Sequence, residues 1–158
     1  MKFQTISNTI YALVGGMAIA TAANAGEILL DVSIGDQKHK YTLEDLQALP
    51  STDFVTGTIW TEGPQVFEGV LLKELLDKLD VTEGEIEAIA INDYSVTLPV
   101  SDATADGPIV AYLANGSLMS RRGKGPLWIV YPYDSNPMYK TETIYSRSIW
   151  QLDRIAVK

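Results

Sequence analysis

The sequence predicts an α+β fold in which a few helices pack on mixed β-sheets. Many short segments rich in β-branched and aromatic residues alternate with turn signals, which is typical of strands. Two other segments carry apolar residues or capping signals at helical spacing. The chain has no cysteine, so packing must hold the fold together without disulfides. These observations indicate one domain in which helices cover sheets.

The first 25 residues are predicted to be a secretory signal peptide. Lys2 precedes an apolar, small-residue segment at 10–23, and Ala23-Asn24-Ala25 matches a cleavage site of the A-x-A type. The apolar segment is shorter than the about 20 residues of a membrane span. We therefore expect cleavage after Ala25 and a periplasmic or secreted domain, residues 26–158, without direct membrane insertion. An uncleaved anchor is the alternative.

The charge and residue counts exclude several classes of function. A formal net charge of -8 disfavours nucleic acid and anionic lipid as partners. The absence of cysteine removes thiolate metal ligands, cysteine nucleophiles and iron–sulfur clusters. With His39 as the single histidine, neither a histidine-rich metal site nor a Ser-His catalytic set is expected. We predict no metal and no catalytic residue.

A hairpin and a capped helix are predicted at the start of the domain. Apolar residues alternate over 28–34, and after a glycine turn residues 37–41 can return as a second strand. Thr42 and Asp45 then match a capping box, which begins a helix that Pro50 ends.

A third strand and the main helix are predicted next. Residues 54–60, FVTGTIW, are rich in β-branched and aromatic side chains and indicate a strand. From Gly69 to Leu79 the leucines form one broad apolar face, with charged residues on the opposite side, which indicates a helix. We interpret this leucine face as core.

The C-terminal half is predicted to be rich in strands joined by short turns. Asn92-Asp93 and Asn115-Gly116 are the turn signals, and the second is a strong hairpin signal. The predicted strands are 86–91, 94–98, 109–113, 127–131 and 148–157.

One group of candidate ligand-binding residues lies in the segment SLMSRRGKGPLWIVYPY. Arg121, Arg122 and Lys124 stand among glycines, which permit close backbone approach, and arginine forks suit carbonyl or carboxylate acceptors. Trp128 and Tyr131 follow on an apolar strand and offer stacking surfaces. The alternative is a surface turn whose cations pair with nearby acids.

Three further segments place aromatic and charged residues together. Trp60 can stack on a flat heterocycle, and Glu62 can accept hydrogen bonds from an amino group and a ring N–H. Asp93 and Tyr94 occupy a predicted hairpin corner, and Arg147 is a lone cation among aromatic residues. The structural alternatives are core packing for Trp60, solvation for Glu62, an Asx turn for Asp93 and a carboxylate pair for Arg147.

The order of these segments resembles the oxidoreductase molybdopterin-binding domain, the catalytic fold of sulfite oxidases. The resemblance extends over Glu27–Val157, and it implies a sulfite oxidase-like fold. In sulfite oxidases the segment like VTGTIWTEG carries a molybdenum-binding cysteine, and this chain has Thr61 there, whose hydroxyl cannot replace a soft thiolate. The other matching motifs are G-V-x-L-x-x-L-L at 69–76, D-Y with L-P at 93–99, and L-A-x-x-G…G-P-L-W-x-V-Y-P at 113–132.

Small, exported, cysteine-free versions of this domain resemble the periplasmic pterin-binding proteins of bacterial signalling. This resemblance implies a free reduced pterin as ligand, rather than molybdopterin. It also implies a partner, the periplasmic domain of an inner-membrane enzyme that makes or degrades cyclic-di-GMP. The stacking candidates would be Trp60, Tyr94, Trp128 and Tyr131; the acceptors Glu62 or Asp93; and the donors Arg121, Arg122, Lys124 or Arg147. The alternatives are a molybdopterin-dependent oxidoreductase subunit and an interaction module with an empty pocket.

Overall fold

The computed structural model describes residues 26–158, so the predicted signal peptide lies outside the described residues. The described chain forms ten strands and three α-helices, with short 3₁₀ helices at Val100–Asp102 and Pro137–Tyr139. The strands are β1 Ile28–Ile34, β2 Gln37–Thr42, β3 Ser51–Thr56, β4 Gln65–Leu71, β5 Glu85–Ala90, β6 Ser95–Pro99, β7 Ile109–Ala114, β8 Ser117–Leu118, β9 Leu127–Val130 and β10 Trp150–Val157. The helices are α1 Leu43–Gln47, α2 Leu72–Lys78 and α3 Glu142–Arg147.

All ten strands belong to one mixed sheet. Its main path runs β2-β1-β10-β9-β7-β4-β3, while β5 and β6 join through β10 and β8 joins through β7. The first and last strands, β1 and β10, pair in parallel, and the other strand pairs are antiparallel. The predicted α+β class with mixed strand pairing is therefore confirmed.

The core forms where the sheet meets α2. Leu72, Leu75 and Leu76 of this helix are fully or almost fully buried, as the leucine pattern predicts. All four residues of β9 are buried, which agrees with its continuous apolar sequence. Within residues 26–158, none of the helices has the length and apolar character that a membrane span requires.

The first hairpin and helix have the predicted local structure. β1 and β2 are antiparallel neighbours, and Gly35 takes the left-handed conformation in the turn between them. The capping box is present, because the Thr42 hydroxyl accepts from the backbone N–H of Asp45 and the Asp45 carboxylate accepts from the N–H of Thr42. Local side-chain bonds of this kind depend only on residues close in sequence.

The strand predicted over 54–60 is wrong in its second half. β3 ends at Thr56, and the chain from Gly57 to Trp60 turns away from the sheet. The backbone N–H of Gly57 donates to the carboxylate of Asp134 at 2.6 Å, so a distant side chain supplies its hydrogen-bond partner. Trp60 therefore lies on a loop after β3 and not on the strand.

The helix predicted from Gly69 begins three residues later than its leucine pattern indicates. Gly69–Leu71 belong to β4, and α2 begins at Leu72. A Cβ at Gly69 would lie 2.1 Å from the carbonyl oxygen of Val110, so β4 and β7 approach closely only because this residue is glycine.

A third helix, α3, is absent from the sequence prediction. Thr141 caps its first turn by accepting from the N–H of Ile144, and the Ser148 hydroxyl donates to the carbonyl of Ile144 at its end. Ser148 therefore belongs to the helix terminus, and the final strand begins at Trp150 rather than at the predicted position.

Candidate ligand-binding site

A cavity of about 430 Å³ opens beside the loop that carries Trp60. None of its ten lining residues carries a charged side chain, and four of them are aromatic. Its size and apolar character lie within the usual range for sites that bind small organic molecules. The lining residues are Trp60, Ala90, Asn92, Tyr94, Tyr145, Ser146, Ser148, Ile149, Trp150 and Gln151.

Trp60 is the centre of a cluster of aromatic rings behind this cavity. Its ring centroid lies 5.4 Å from that of Trp150, 5.7 Å from Tyr145, 5.9 Å from Trp128 and 6.4 Å from Tyr133. All four contacts are edge-to-face, a geometry worth about 0.5–1.5 kcal/mol per pair beyond area burial. The cluster therefore holds Trp60 in place although its side chain is only half-buried.

The loop that carries Trp60 is also fixed by hydrogen bonds of its own. The Thr58 hydroxyl accepts from the backbone N–H of Trp60 at 3.1 Å. The hydroxyls of Thr58 and Thr61 lie 2.7 Å apart and share a second hydrogen bond. Thr61, which occupies the position of the sulfite oxidase cysteine in the resemblance, thus has a structural contact within the loop.

Gln151 connects the cavity to the glycine-rich segment of cations. Its backbone adopts a left-handed conformation, with φ of 53°, which is uncommon for a residue other than glycine. Its side-chain Nε2 donates to the carbonyls of Arg121 and Gly123, and its backbone N–H donates to the carbonyl of Lys124. Three hydrogen bonds therefore hold the segment beside β10, and such strained residues often occur at functional sites.

Lys124 is the cation of this segment that reaches the aromatic cluster. Its Nζ lies 3.8 Å from the ring centroid of Trp150, 5.1 Å from Trp128 and 5.9 Å from Trp60. Desolvation by burial lowers the pKa of Lys124, whereas the ring faces favour its charged form. Lys124 forms no ion pair among residues 26–158. It contacts the tryptophans but is not one of the residues that line the cavity.

Three other predicted ligand-binding residues are engaged within the protein. Trp128 is buried and donates from Nε1 to the carbonyl of Ser148. The Tyr131 hydroxyl is buried and donates to Asp102 at 2.7 Å, and burial raises the pKa of Tyr131 above its ordinary value. Arg147 pairs with the same Asp102 carboxylate at 2.8 Å. Arg147 therefore matches its alternative of a carboxylate pair, and Trp128 and Tyr131 belong to the core.

The predicted charged residues at other positions also lie outside the cavity lining. Arg121 pairs with Glu27 beside a separate groove, and Arg122 and Glu62 are exposed. Asp93 pairs with Arg154, with 2.7 Å between its Oδ1 and the guanidinium Nη2. Of the ten predicted residues, only Trp60 and Tyr94 line the cavity.

The Asx turn that was the alternative for Asp93 is made by its neighbour. The Asn92 side-chain oxygen accepts from the backbone N–H of Tyr94 at 3.2 Å, so Asn92 shapes the corner. Asp93 takes the left-handed conformation there, with φ of 66°, and its carboxylate points to Arg154.

Several lining residues were missed by the sequence analysis because α3 was not predicted. Tyr145 and Ser146 lie on this helix, and Trp150 and Gln151 follow it on β10. The signal was present in the segment IYSRSIW, where two aromatic residues flank two serines, an arginine and an isoleucine. Without the helix, their common orientation towards Trp60 was not predictable.

The residues present fit an organic ring better than a molybdenum centre. Among the described residues there is no group of three or more His, Cys, Asp or Glu side chains placed to hold a metal ion. Thr61 offers a hydroxyl already bonded to Thr58, which is a poor donor for a metal that prefers thiolate ligands. The aromatic lining around Trp60, by contrast, matches a flat heterocycle.

The fold is similar to that of the sulfane dehydrogenase SoxCD from Paracoccus pantotrophus. The crystal structure of that protein superposes with a TM-score of 0.61 and 19% sequence identity, over 81% of this chain and 37% of that chain. The likeness concerns the fold, and it confirms the predicted sulfite oxidase-like α+β class. No family model and no curated protein matches the sequence.

Proposed function

We propose that this protein binds a free pterin in the cavity beside Trp60 and does so without catalysing a reaction. The observation that carries the proposal is an uncharged cavity with four aromatic residues, located in a sulfite oxidase-like fold that has a threonine where the resemblance places a thiolate. The aromatic rings supply stacking surfaces for the flat ligand. The threonine gives no anchor for molybdenum.

The polar residues of the lining suit the hydrogen-bonding edge of a pterin. Asn92, Ser146 and Gln151 line the cavity and offer amide and hydroxyl groups that can accept from ring N–H groups and donate to a carbonyl. They replace the charged partners predicted from the sequence. An unphosphorylated ring is favoured over molybdopterin, because a phosphate group would meet no cation among the lining residues.

The number of contacts is sufficient for useful affinity. Stacking contributes on the order of 1 kcal/mol per aromatic contact, and hydrogen bonds about 0.5–1.5 kcal/mol each. Micromolar binding requires about 8 kcal/mol after association costs. Burial of the ring against Trp60 and Trp150, together with several hydrogen bonds, makes this value reachable.

We further propose that the protein acts in the periplasm as a signalling component. In this proposal the pterin-loaded form contacts the periplasmic domain of an inner-membrane enzyme that makes or degrades cyclic-di-GMP. The support is the sequence resemblance, together with the predicted signal peptide. Tyr94, which is 59% exposed at the cavity mouth, offers a surface that ligand binding would change.

A titration with tetrahydrobiopterin tests the binding proposal. All three tryptophans of the chain lie in the cluster around Trp60, so we expect saturable quenching of tryptophan fluorescence. The substitution Tyr94→Ala removes an exposed lining ring and should weaken binding about tenfold.

Leu118→Ala is the matched control, because Leu118 is 60% exposed and lines a different groove. Its affinity should equal that of the wild type. Absence of saturable quenching would contradict the proposal and favour an interaction module with an empty pocket. Equal affinities of Tyr94→Ala and wild type would place the ligand elsewhere.

A further inference from the structure

A second feature, a groove of about 490 Å³, lies beside β2 and away from the cavity of Trp60. β2 is an edge strand that pairs only with β1, so its outer backbone groups have no strand partner within the described sheet. Residues of α1, of the turn after it and of the end of α2 also line the groove. Its lining residues are Lys38, His39, Lys40, Tyr41, Asp45, Ala48, Leu49 and Lys78.

The three lysines of this groove carry charge that no acid neutralises directly. Within residues 26–158, Lys38, Lys40 and Lys78 form no ion pair, although six other cations do. Asp31 faces Lys40 in the strand register, and no ion pair forms between them. The groove is therefore a local positive surface on a chain whose formal net charge is -8.

The one acid in the lining is already occupied. The Asp45 carboxylate accepts from the backbone N–H and the hydroxyl of Thr42, each at 2.8 Å, and these bonds lower the pKa of Asp45. This carboxylate belongs to the capping box of α1, and no ion pair links it to the lysines.

Protection of the sheet edge explains part of this arrangement. Lysines on an edge strand oppose edge-to-edge association, and Lys38 and Lys40 are placed for that role. Lys78 is not on the edge strand, because it is the last residue of α2. Lysines from two separate elements, β2 and α2, thus line the groove, which is the arrangement expected for an anionic occupant.

We propose that this groove binds an extended, acidic segment of a partner protein, which adds a strand to β2. The outer backbone groups of β2 would hydrogen-bond to the segment, and carboxylates along it would pair with Lys38, Lys40 and Lys78. Charge complementarity selects the partner, since the rest of this acidic chain repels acidic proteins. The groove and the pterin cavity have no lining residue in common, so either proposal can fail without the other.

Fluorescence anisotropy with a labelled peptide of alternating glutamate and valine tests this proposal. We expect saturable binding that weakens as salt rises from about 50 to about 300 mM. The double substitution Lys40→Gln with Lys78→Gln should reduce affinity about tenfold. The matched control, Lys73→Gln with Lys158→Gln, changes the net charge equally outside the groove and should leave affinity unchanged.

A second peptide tests the strand itself. It keeps the glutamates and replaces the valines with proline, which removes backbone donors, and it should bind at least about tenfold more weakly. Thermal unfolding followed by circular dichroism checks that the variants are folded. If the double variant is not, Lys38→Gln, which alters one exposed side chain, replaces it.

Four outcomes would overturn the proposal. They are no binding to the wild type, equal losses in the groove and control variants, equal binding of the proline peptide, and displacement of the peptide by equimolar inorganic phosphate. A dimer that forms through β2 in sedimentation velocity, and that the groove variant abolishes, would instead identify a second copy of this chain as the occupant.

Discussion

Around Trp60, the buried polar groups of the aromatic cluster meet partners. The Tyr133 hydroxyl donates to the Ser148 hydroxyl at 2.6 Å, and Trp128 donates to the Ser148 carbonyl. Lys124 meets the face of Trp150. Among residues 26–158, no buried side-chain nitrogen or oxygen is left without a hydrogen bond. Since unsatisfied buried groups are costly, this completeness indicates a rigid, preformed cavity wall.

Tyr133 gives a prediction about alkaline pH. Burial is the main cause that raises its pKa from 10.0 to about 12. As pH rises, the unfolded chain therefore loses this proton before the folded chain does. The contribution of Tyr133 to the free energy of unfolding is fully present below pH 10 and is lost as pH rises towards about 12. We expect the free energy of unfolding, measured by urea denaturation, to fall over that range.

The comparison protein is Tyr133→Phe, which cannot ionise at this position. It should be about 1 kcal/mol less stable at neutral pH because it loses the bond to Ser148. Its stability should then fall less steeply with pH than that of the wild type. Identical slopes for the two proteins would contradict the assignment of this titration to Tyr133.

At the scale of elements, the junction of β4 and α2 positions the main helix on the sheet. Gly69 permits β4 to approach β7, and the backbone N–H of Leu72 donates to the carbonyl of Pro108 as the helix begins. The leucine pattern continues through the junction, so periodicity alone places the start of the helix too early. Contacts with a strand distant in sequence decide where the helix begins.

Gly69→Ala tests this close approach. The added Cβ would collide with backbone atoms of Val110 and Ala111, which cannot move without breaking strand pairing. We expect a loss of about 1–3 kcal/mol in the free energy of unfolding, measured by urea denaturation. Gly123→Ala is the control, because its Cβ would find ordinary contacts, and it should change stability by less than about 0.5 kcal/mol.

For the molecule as a whole, the sequence resemblance and the site suggest different chemistry. The likeness to the sulfane dehydrogenase concerns the fold alone. The molybdopterin-dependent oxidoreductase subunit is the second candidate function because the order of the sequence motifs resembles that of sulfite oxidases. Thr61 stands where the resemblance places a thiolate, and the cavity beside Trp60 has an uncharged lining; both favour an organic ligand without metal. Because folds host many functions, the residues of the site decide between the two.

Metal analysis distinguishes these candidates directly. We expect protein exported from a host that makes molybdenum cofactor to contain far less than one molybdenum atom per chain, measured by inductively coupled plasma mass spectrometry, because thiolate ligands are absent. About one molybdenum atom per chain, retained through gel filtration, would contradict the pterin proposal and support the oxidoreductase subunit.

The sequence by itself determined the local structure of this protein. Strand alternation, the Thr42 capping box, the hairpin turns and the buried leucines all follow from residues close to one another, and the α+β class follows from their order. Trp60 and Tyr94 were also identified as candidates for the site. Only the tertiary structure brought Tyr145 and Trp150 to Trp60 and paired Asp93, Arg121 and Arg147 with residues outside the cavity lining. The physical reason is that periodicity specifies which face of an element is buried, whereas the partner of a side chain depends on strand register and on contacts between residues far apart in the chain.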